Sequence, residues 1–134
     1  MTDQALVEQV RRFFETYANA FDSISTDRAA QFAQLYHAPC VTVRGDGSVH
    51  CLQSRDELQA FFQKVADGYY REGYRGGGPF TNLDVVAIGT RSALATMDWE
   101  LLREDKTVIR RWRQSYNILR VGTEWRVLAA TFHQ

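Results

Sequence analysis

The 134-residue sequence predicts an α+β domain, three N-terminal helices packed on one face of a strongly curved antiparallel sheet. Three observations carry this. Apolar residues recur at helical spacing near the N-terminus and again after Ser54. The residues from Phe80 onward alternate as strands do. The glycine-rich stretch "REGYRGGGP" parts the two regions. With 45% apolar residues, a chain of this length (1–134) can form one core without staples.

Each element follows from its residues. Apolar side chains at 6, 7, 10, 13, 14, 17, 18 and 21 make Leu6 to Phe21 an amphipathic helix, with Glu8, Arg11, Arg12 and Glu15 between them. A short second helix begins after Thr26, which can cap it, turns Phe32, Leu35 and Tyr36 inward, and ends at Pro39. The segment "CVTVRGDGSVHC" reads as a hairpin whose three-residue loop holds Gly47 in the left-handed region and pairs Val41 with Cys51 and Val43 with Val49. Ser54 and Glu57 form a capping box for a third helix with the stripe Leu58, Phe61, Phe62, Val65, Ala66 and Tyr69. Four strands follow: Phe80 to Ile88, Ser92 to Arg103, Val108 to Arg120, and Trp125 to His133.

A tight turn at Asp105-Lys106, with Glu104 facing Thr107, opposes Trp99 to Trp112, Met97 to Gln114 and Ala95 to Tyr116 on one face. On the other it opposes Asp98 to Arg113, Glu100 to Arg111 and Thr96 to Ser115. Such polar pairs each stabilise by about 0.2–1 kcal/mol, and a one-residue slip would reverse every face, so their joint appearance argues for the register. Arg111 and Arg113 then form a solvated ladder, while Arg110, Trp112, Gln114 and Tyr116 face the helices. Carried through "RVGTE", the same alternation pairs Tyr116 with Leu128, Gln114 with Ala130 and Trp112 with Phe132. It sends Leu119, Trp125, Val127, Ala129 and Thr131 outward, an apolar set rimmed by charge that predicts a homodimer through the outer sheet face.

Charge and composition exclude several functions. Sixteen basic residues against sixteen acidic ones leave no electrostatic footprint for nucleic acid. No apolar run approaches the roughly 20 residues of a membrane span, and the N-terminus lacks a signal-peptide pattern, so a cytoplasmic address is expected. Cys40 and Cys51 are too few for a disulfide scaffold. With His37 and His50 they offer zinc chemistry, but the hairpin register puts Cys51 on the face opposite Cys40 and His50, so no metal is expected. "YRGGG" lacks the lysine and the preceding strand of a phosphate loop, and reads as a segment near the mouth of a cavity.

Small alanines opposite large aromatics leave room inside the sheet, which predicts a cone with an internal pocket for a small molecule. Its expected lining is Tyr17, Arg44, Asn82, Trp99, Arg110, Trp112, Gln114 and Tyr116. Arg110 and Arg44 can grip a carboxylate or phosphate bidentately, or can equally be rim and hairpin surface residues. Tyr17 and Tyr116 offer hydroxyls, and Asn82 and Gln114 can orient a carbonyl.

Two helices, then "LYHAPCVTVRGDGSVHCLQSRDELQAFF", then strands ending "YNILRVGTEWRVLAATFHQ", resemble the nuclear transport factor 2-like superfamily over the whole chain, in particular its SnoaL-like branch. The resemblance implies a cystatin-like cone and frequent dimerisation through the sheet. It leaves the activity open among isomerases, dehydratases, cyclases, epoxide hydrolases and binding modules. Tyr17 matches the tyrosine donor of ketosteroid isomerase-like members, but Arg44 stands where their general base would be and Gln114 near their second acid. An arginine cannot abstract the proton, so that chemistry is not expected. The Asp-Arg-Asp set of epoxide hydrolase-like members has no counterpart at Trp112 and Gln114. Cyclase-like members need an inward acid or histidine, for which Asp84 and His37 are the weak catalytic candidates beside Tyr17. The primary expectation is a pocket for a small organic molecule, anionic or aromatic, without a cofactor. The alternatives are a cofactor-independent acid/base enzyme and a non-catalytic dimeric module with a filled interior.

Overall fold

The computed structural model describes residues 2–22, 29–76 and 80–133. Its elements are α1 (Asp3–Asp22), α2 (Ala29–Ala33), β1 (Tyr36–Val43), β2 (Val49–Leu52), α3 (Arg55–Arg71), β3 (Thr81–Ile88), β4 (Ser92–Leu102), β5 (Val108–Val121) and β6 (Glu124–Phe132). The strands form one curved, unclosed sheet in the order β2-β1-β6-β5-β4-β3. The α+β class is as expected. One pairing is not antiparallel: β1 runs parallel to β6, because the β1–β2 hairpin returns to dock on the last strand. No helix among the described residues is long and apolar enough to cross a membrane.

Amphipathic spacing builds the helical layer. On α1 the stripe Leu6, Val10, Phe14 and Tyr17 is buried, and the Thr2 hydroxyl accepts from the Ala5 N–H at 3.1 Å. The α3 cap is as predicted: the Ser54 Oγ accepts from the Glu57 N–H at 3.2 Å, and the Glu57 carboxylate accepts from the Gln53 N–H at 2.5 Å. Leu58, Phe62, Ala66 and Tyr69 are buried beneath it. The second helix is shorter than predicted. It ends at Ala33, and Tyr36 and Pro39 belong to β1, where Pro39 sits at a register irregularity that spares the ladder its missing N–H. Tyr36 is nonetheless buried, since its strand position opposite Val127 faces the helices. Thr26, the expected cap, and Gly77, Gly78 and Pro79 of the glycine-rich stretch lie outside the described residues.

The β4–β5 register is as predicted from Ser92 to Leu101, with Trp99 opposite Trp112, Met97 opposite Gln114 and Ala95 opposite Tyr116. Only the turn differs. Arg103 and Thr107 close it around Lys106 at φ 71°, and a bulge between Leu101 and Leu102 absorbs the extra residue. Outside, Arg113 pairs with Asp98 at 2.9 Å and Asp84 at 3.0 Å, Arg111 with Glu100 at 2.6 Å, and Thr96 with Ser115 at 2.7 Å.

The predicted β5–β6 register is wrong. Gly122, at φ 65°, opens a two-residue turn that pairs Val121 with Glu124 and Arg120 with Trp125. A bulge between Asn117 and Ile118 then shifts the ladder by one, so that Tyr116 meets Ala130 and Gln114 meets Phe132. Leu128 is the extra residue, and the face alternation of β6 inverts across it. Leu119 and Ala129 are only partly buried, as an outer face requires, but Trp125 and Val127 turn into the core at 6% and 0% exposure. The Trp125 indole donates to Gln9 Oε1 on α1 at 3.3 Å. The expected dimer face therefore loses Trp125 and Val127 to the core, and the exposed large apolar residues on the described strands are instead Val41, Val49, Val86, Ile88, Leu94 and Val121.

Trp125→Ala is expected to lower unfolding free energy by about 3–5 kcal/mol in urea titrations, as a buried indole should. Ile88→Ser, on the exposed outer face, should cost about 0.5 kcal/mol or less. The reverse order would restore the simple alternation along β6.

Candidate functional site

The interior between α1, α3 and the sheet is an aromatic box. Tyr17 lies 4.9 Å from Phe32, Phe14 lies 4.9 Å from Tyr116, and Tyr36 lies 4.6 Å from Phe62, all as ring-centroid distances. Helical spacing on α1 puts Phe14 and Tyr17 on one stripe, and strand alternation brings Trp99 and Tyr116 up from the floor. The packing leaves a cavity of about 30 Å³, bounded by Tyr17, Tyr36, Trp99, Gln114, Tyr116 and Arg44, with Trp112 and Phe132 also in its wall. That is room for roughly one or two waters.

Of the predicted lining, Tyr17, Arg44, Trp99, Trp112, Gln114 and Tyr116 do converge here. Two do not. Arg110 is at the rim on the inner face, ion-paired with Glu72 beyond the end of α3, its charge neutralised and half exposed. Asn82 sits at a β3 bulge in the left-handed region (φ 54°), where its amide donates to the Asp98 carboxylate on the outer face at 2.7 Å. That bond first, and Arg113 second, hold Asp98 below the usual carboxylate range. The catalytic candidates divide likewise. Asp84 pairs with Thr96 on the outer face and binds Arg113, so it is not an inward acid. The His37 Nδ1 is bonded to the Pro39 carbonyl at 2.8 Å and is not part of the cavity wall. Cys40 is buried and Cys51 exposed, on opposite faces of the hairpin as predicted. Among the described residues no carboxylate or histidine lines the cavity.

The sequence reading missed Tyr36 and Tyr69. The Tyr36 hydroxyl is bonded to that of Tyr17 at 2.6 Å, and the Tyr69 hydroxyl accepts from Arg44 at 3.1 Å. Tyr69 was already on the α3 stripe, so its hydroxyl could have been placed from sequence. Tyr36 turns inward as expected, but from β1 rather than from a helix, so its bond to Tyr17 was not foreseen. Burial pushes the Tyr17 phenol up to about 12, and raises Tyr36 and Tyr116 well above the ordinary tyrosine value. Tyr116 also feels Tyr17 and the Trp99 indole. Even so, Trp99 Nε1 is fully buried without any partner in hydrogen-bond geometry among the described residues, so that proximity satisfies no bond. The Trp112 N–H does have an acceptor, the Gln114 Oε1 at 2.9 Å, and its ring stacks on Phe132 at 5.3 Å and 5°.

A family model described as "NTF2-like protein (DUF6841)" matches residues 7–134. None of the curated proteins matches the sequence. Among solved structures, Aln2 from a Streptomyces species superposes with a TM-score of 0.78 at 14% identity, covering 100% of this chain and 94% of its own. An NTF2-like protein with a cystatin-like fold from Novosphingobium aromaticivorans gives 0.72 at 16% identity, covering 93% and 79%. The yeast UBP3-associated protein BRE5 gives 0.74 at 14% identity, covering 96% and 95%. At such identities the likeness is one of fold.

Raised phenols have a measurable consequence. A folded-state value above that of the unfolded chain means the native protein holds its proton longer, so this stabilisation is complete below about pH 10 and is lost as pH rises toward 12. Absorbance titration near 295 nm should show Tyr17, Tyr36 and Tyr116 ionising only with unfolding. Tyr17→Phe should make the decline in stability above pH 10 shallower.

Proposed function

The chain belongs to the NTF2-like family DUF6841, and from that membership we propose that it binds a small organic molecule in the cone between α1, α3 and the sheet. One observation carries the reading. The Trp99 N–H is fully buried, has no hydrogen-bond partner among the described residues, and belongs to a residue of the cavity wall. A buried donor left unsatisfied costs about 1–3 kcal/mol, so an acceptor supplied from outside, water or ligand, is favoured at that point. The neighbouring phenols and the Gln114 amide add orienting polar groups within apolar walls, the usual make-up of a small-molecule site.

The same geometry weighs against acid/base catalysis of the expected kind. Phenols raised by burial are poor proton acceptors near neutrality, and no described carboxylate or histidine stands in the wall to replace them. A second reading, a non-catalytic module with a filled interior, draws support from the small free volume of about 30 Å³. The two differ in what fragments do. A larger ligand would require side chains at the wall, such as the Trp112–Phe132 stack, to turn aside.

Proton–nitrogen NMR of the indole N–H signals reads this directly. Phenol, indole and benzoate, added one at a time, are expected to include at least one binder that displaces the Trp99 and Trp112 signals together and raises the melting midpoint. If every fragment leaves both indoles in place, the filled-module reading stands in its stead.

A further inference from the structure

Arg44 differs from the other arginines whose partners are visible. Arg12, Arg110, Arg111, Arg113 and Arg126 each meet a carboxylate, and Arg55, Arg75 and Arg103 each bond to backbone carbonyls. Arg44, at the end of the hairpin strand, has no ion-pair partner among the described residues. Its guanidinium lies 4.4 Å from the centre of the Phe132 ring and 5.6 Å from that of Phe61, and its one hydrogen bond among the described residues goes to the Tyr69 phenol. A partly buried cation held by two ring faces and a neutral hydroxyl keeps most of its five N–H donors for something else. Two neighbouring acceptors are already engaged, and one neighbouring donor is not. Gln114 has already given its carbonyl to Trp112, the Tyr69 oxygen accepts from Arg44, and the Trp99 N–H has no acceptor.

The position of Arg44 is equally particular. It belongs to the wall of the inner cavity and also to the wall of an open groove of about 580 Å³ between β2 and α3, where Phe61, Val65 and Leu52 supply apolar surface and Cys51 is exposed. Arg44 and Val65 are the residues common to both walls, and Arg44 is the charged one. A group that pairs with the guanidinium from the groove side therefore sits at the boundary between solvent and cone.

We infer that Arg44 is the specificity residue for a carboxylate carried on an apolar body, which reaches the cone from the β2–α3 groove. The inference rests on the ligand-binding reading above and adds the ligand's charge and its route. A carboxylate supplies the charged acceptor that no described residue of the cavity wall offers, and the planar fork of Arg44 can meet it bidentately. Entry of such a body draws Arg44 away from the partition between groove and cavity, which makes room that the 30 Å³ void does not offer by itself.

The test compares benzoate with benzamide, which has the same ring and nearly the same shape but no charge. Calorimetric titration of the wild type should show benzoate binding at least about tenfold tighter, with displacement of the Trp99 indole signal. Arg44→Met should abolish that preference, and Arg44→Lys should keep part of it, since the ammonium retains the charge without the fork. Alkylating Cys51, while Cys40 stays buried, should slow benzoate association several-fold. Equal binding of the two probes to the wild type, or a preference that survives in Arg44→Met, overturns the role of Arg44 and leaves the ligand-binding cone standing. Association unchanged by alkylation overturns the route. If neither probe, nor any fragment, moves the Trp99 signal, both readings fall. The wild-type comparison needs no variant, so a misfolded Arg44→Met does not shield the proposal.

Discussion

Face alternation along the two longest paired strands is the constraint on which the molecule depends. From Ser92 to Leu101, β4 and β5 pair without interruption, and the shared period of two commits Trp99, Gln114 and Tyr116 to the helical side and Asp98, Glu100, Arg111 and Arg113 to the other. A slip of one residue would drive the charged ladder into the aromatic box and the indole into water. The ladder itself is worth little per pair, because its members all keep about a third or more of their side-chain surface in solvent. Its value is in specifying which face is which.

That commitment shapes the interior chemistry. Once large rings project from both α1 and the sheet, they crowd the space to a small residual void, and the polar groups they carry must satisfy one another or go without. Tyr17 and Tyr36 do satisfy one another; Trp99 does not. The charge that enters this region, Arg44, is tolerated because it stays partly solvated and rests on aromatic faces, whose quadrupoles offset some of the lost hydration. Arg110 shows the contrasting case. It shares the inner face with Trp112, but at the end of the strand, where Glu72 can reach it and cancel its charge.

The candidate site was readable wherever a long, regular element carried its residues. Tyr17 follows from the α1 stripe, and Trp99, Trp112, Gln114 and Tyr116 follow from alternation on β4 and β5. Positions beside irregularities were not readable. Asn82 and Asp84 flank a bulge in β3, and Tyr36 begins a strand at a point where the helical spacing of apolar residues still continues. The β6 inversion had left a trace, since Trp125 and Val127 are apolar at odd positions while Ala130 and Phe132 are apolar at even ones. An uninterrupted strand cannot bury both sets, so the residues admit either a bulge or an apolar outer face, and do not choose between them.

The amino-acid sequence alone determined the class of fold, the order of helices and strands, the α3 cap and the faces of the central strands, because periodicity and local capping depend on neighbours a few residues apart. Only the tertiary structure decided that β1 lies parallel to β6, that Trp125 belongs to the core, that Arg110 is neutralised, and that Arg44 stands between groove and cavity with no carboxylate partner among the described residues. Each of those depends on which distant residue arrives at a given point in space. Bulges and closing contacts set that arrival, and no local pattern encodes it.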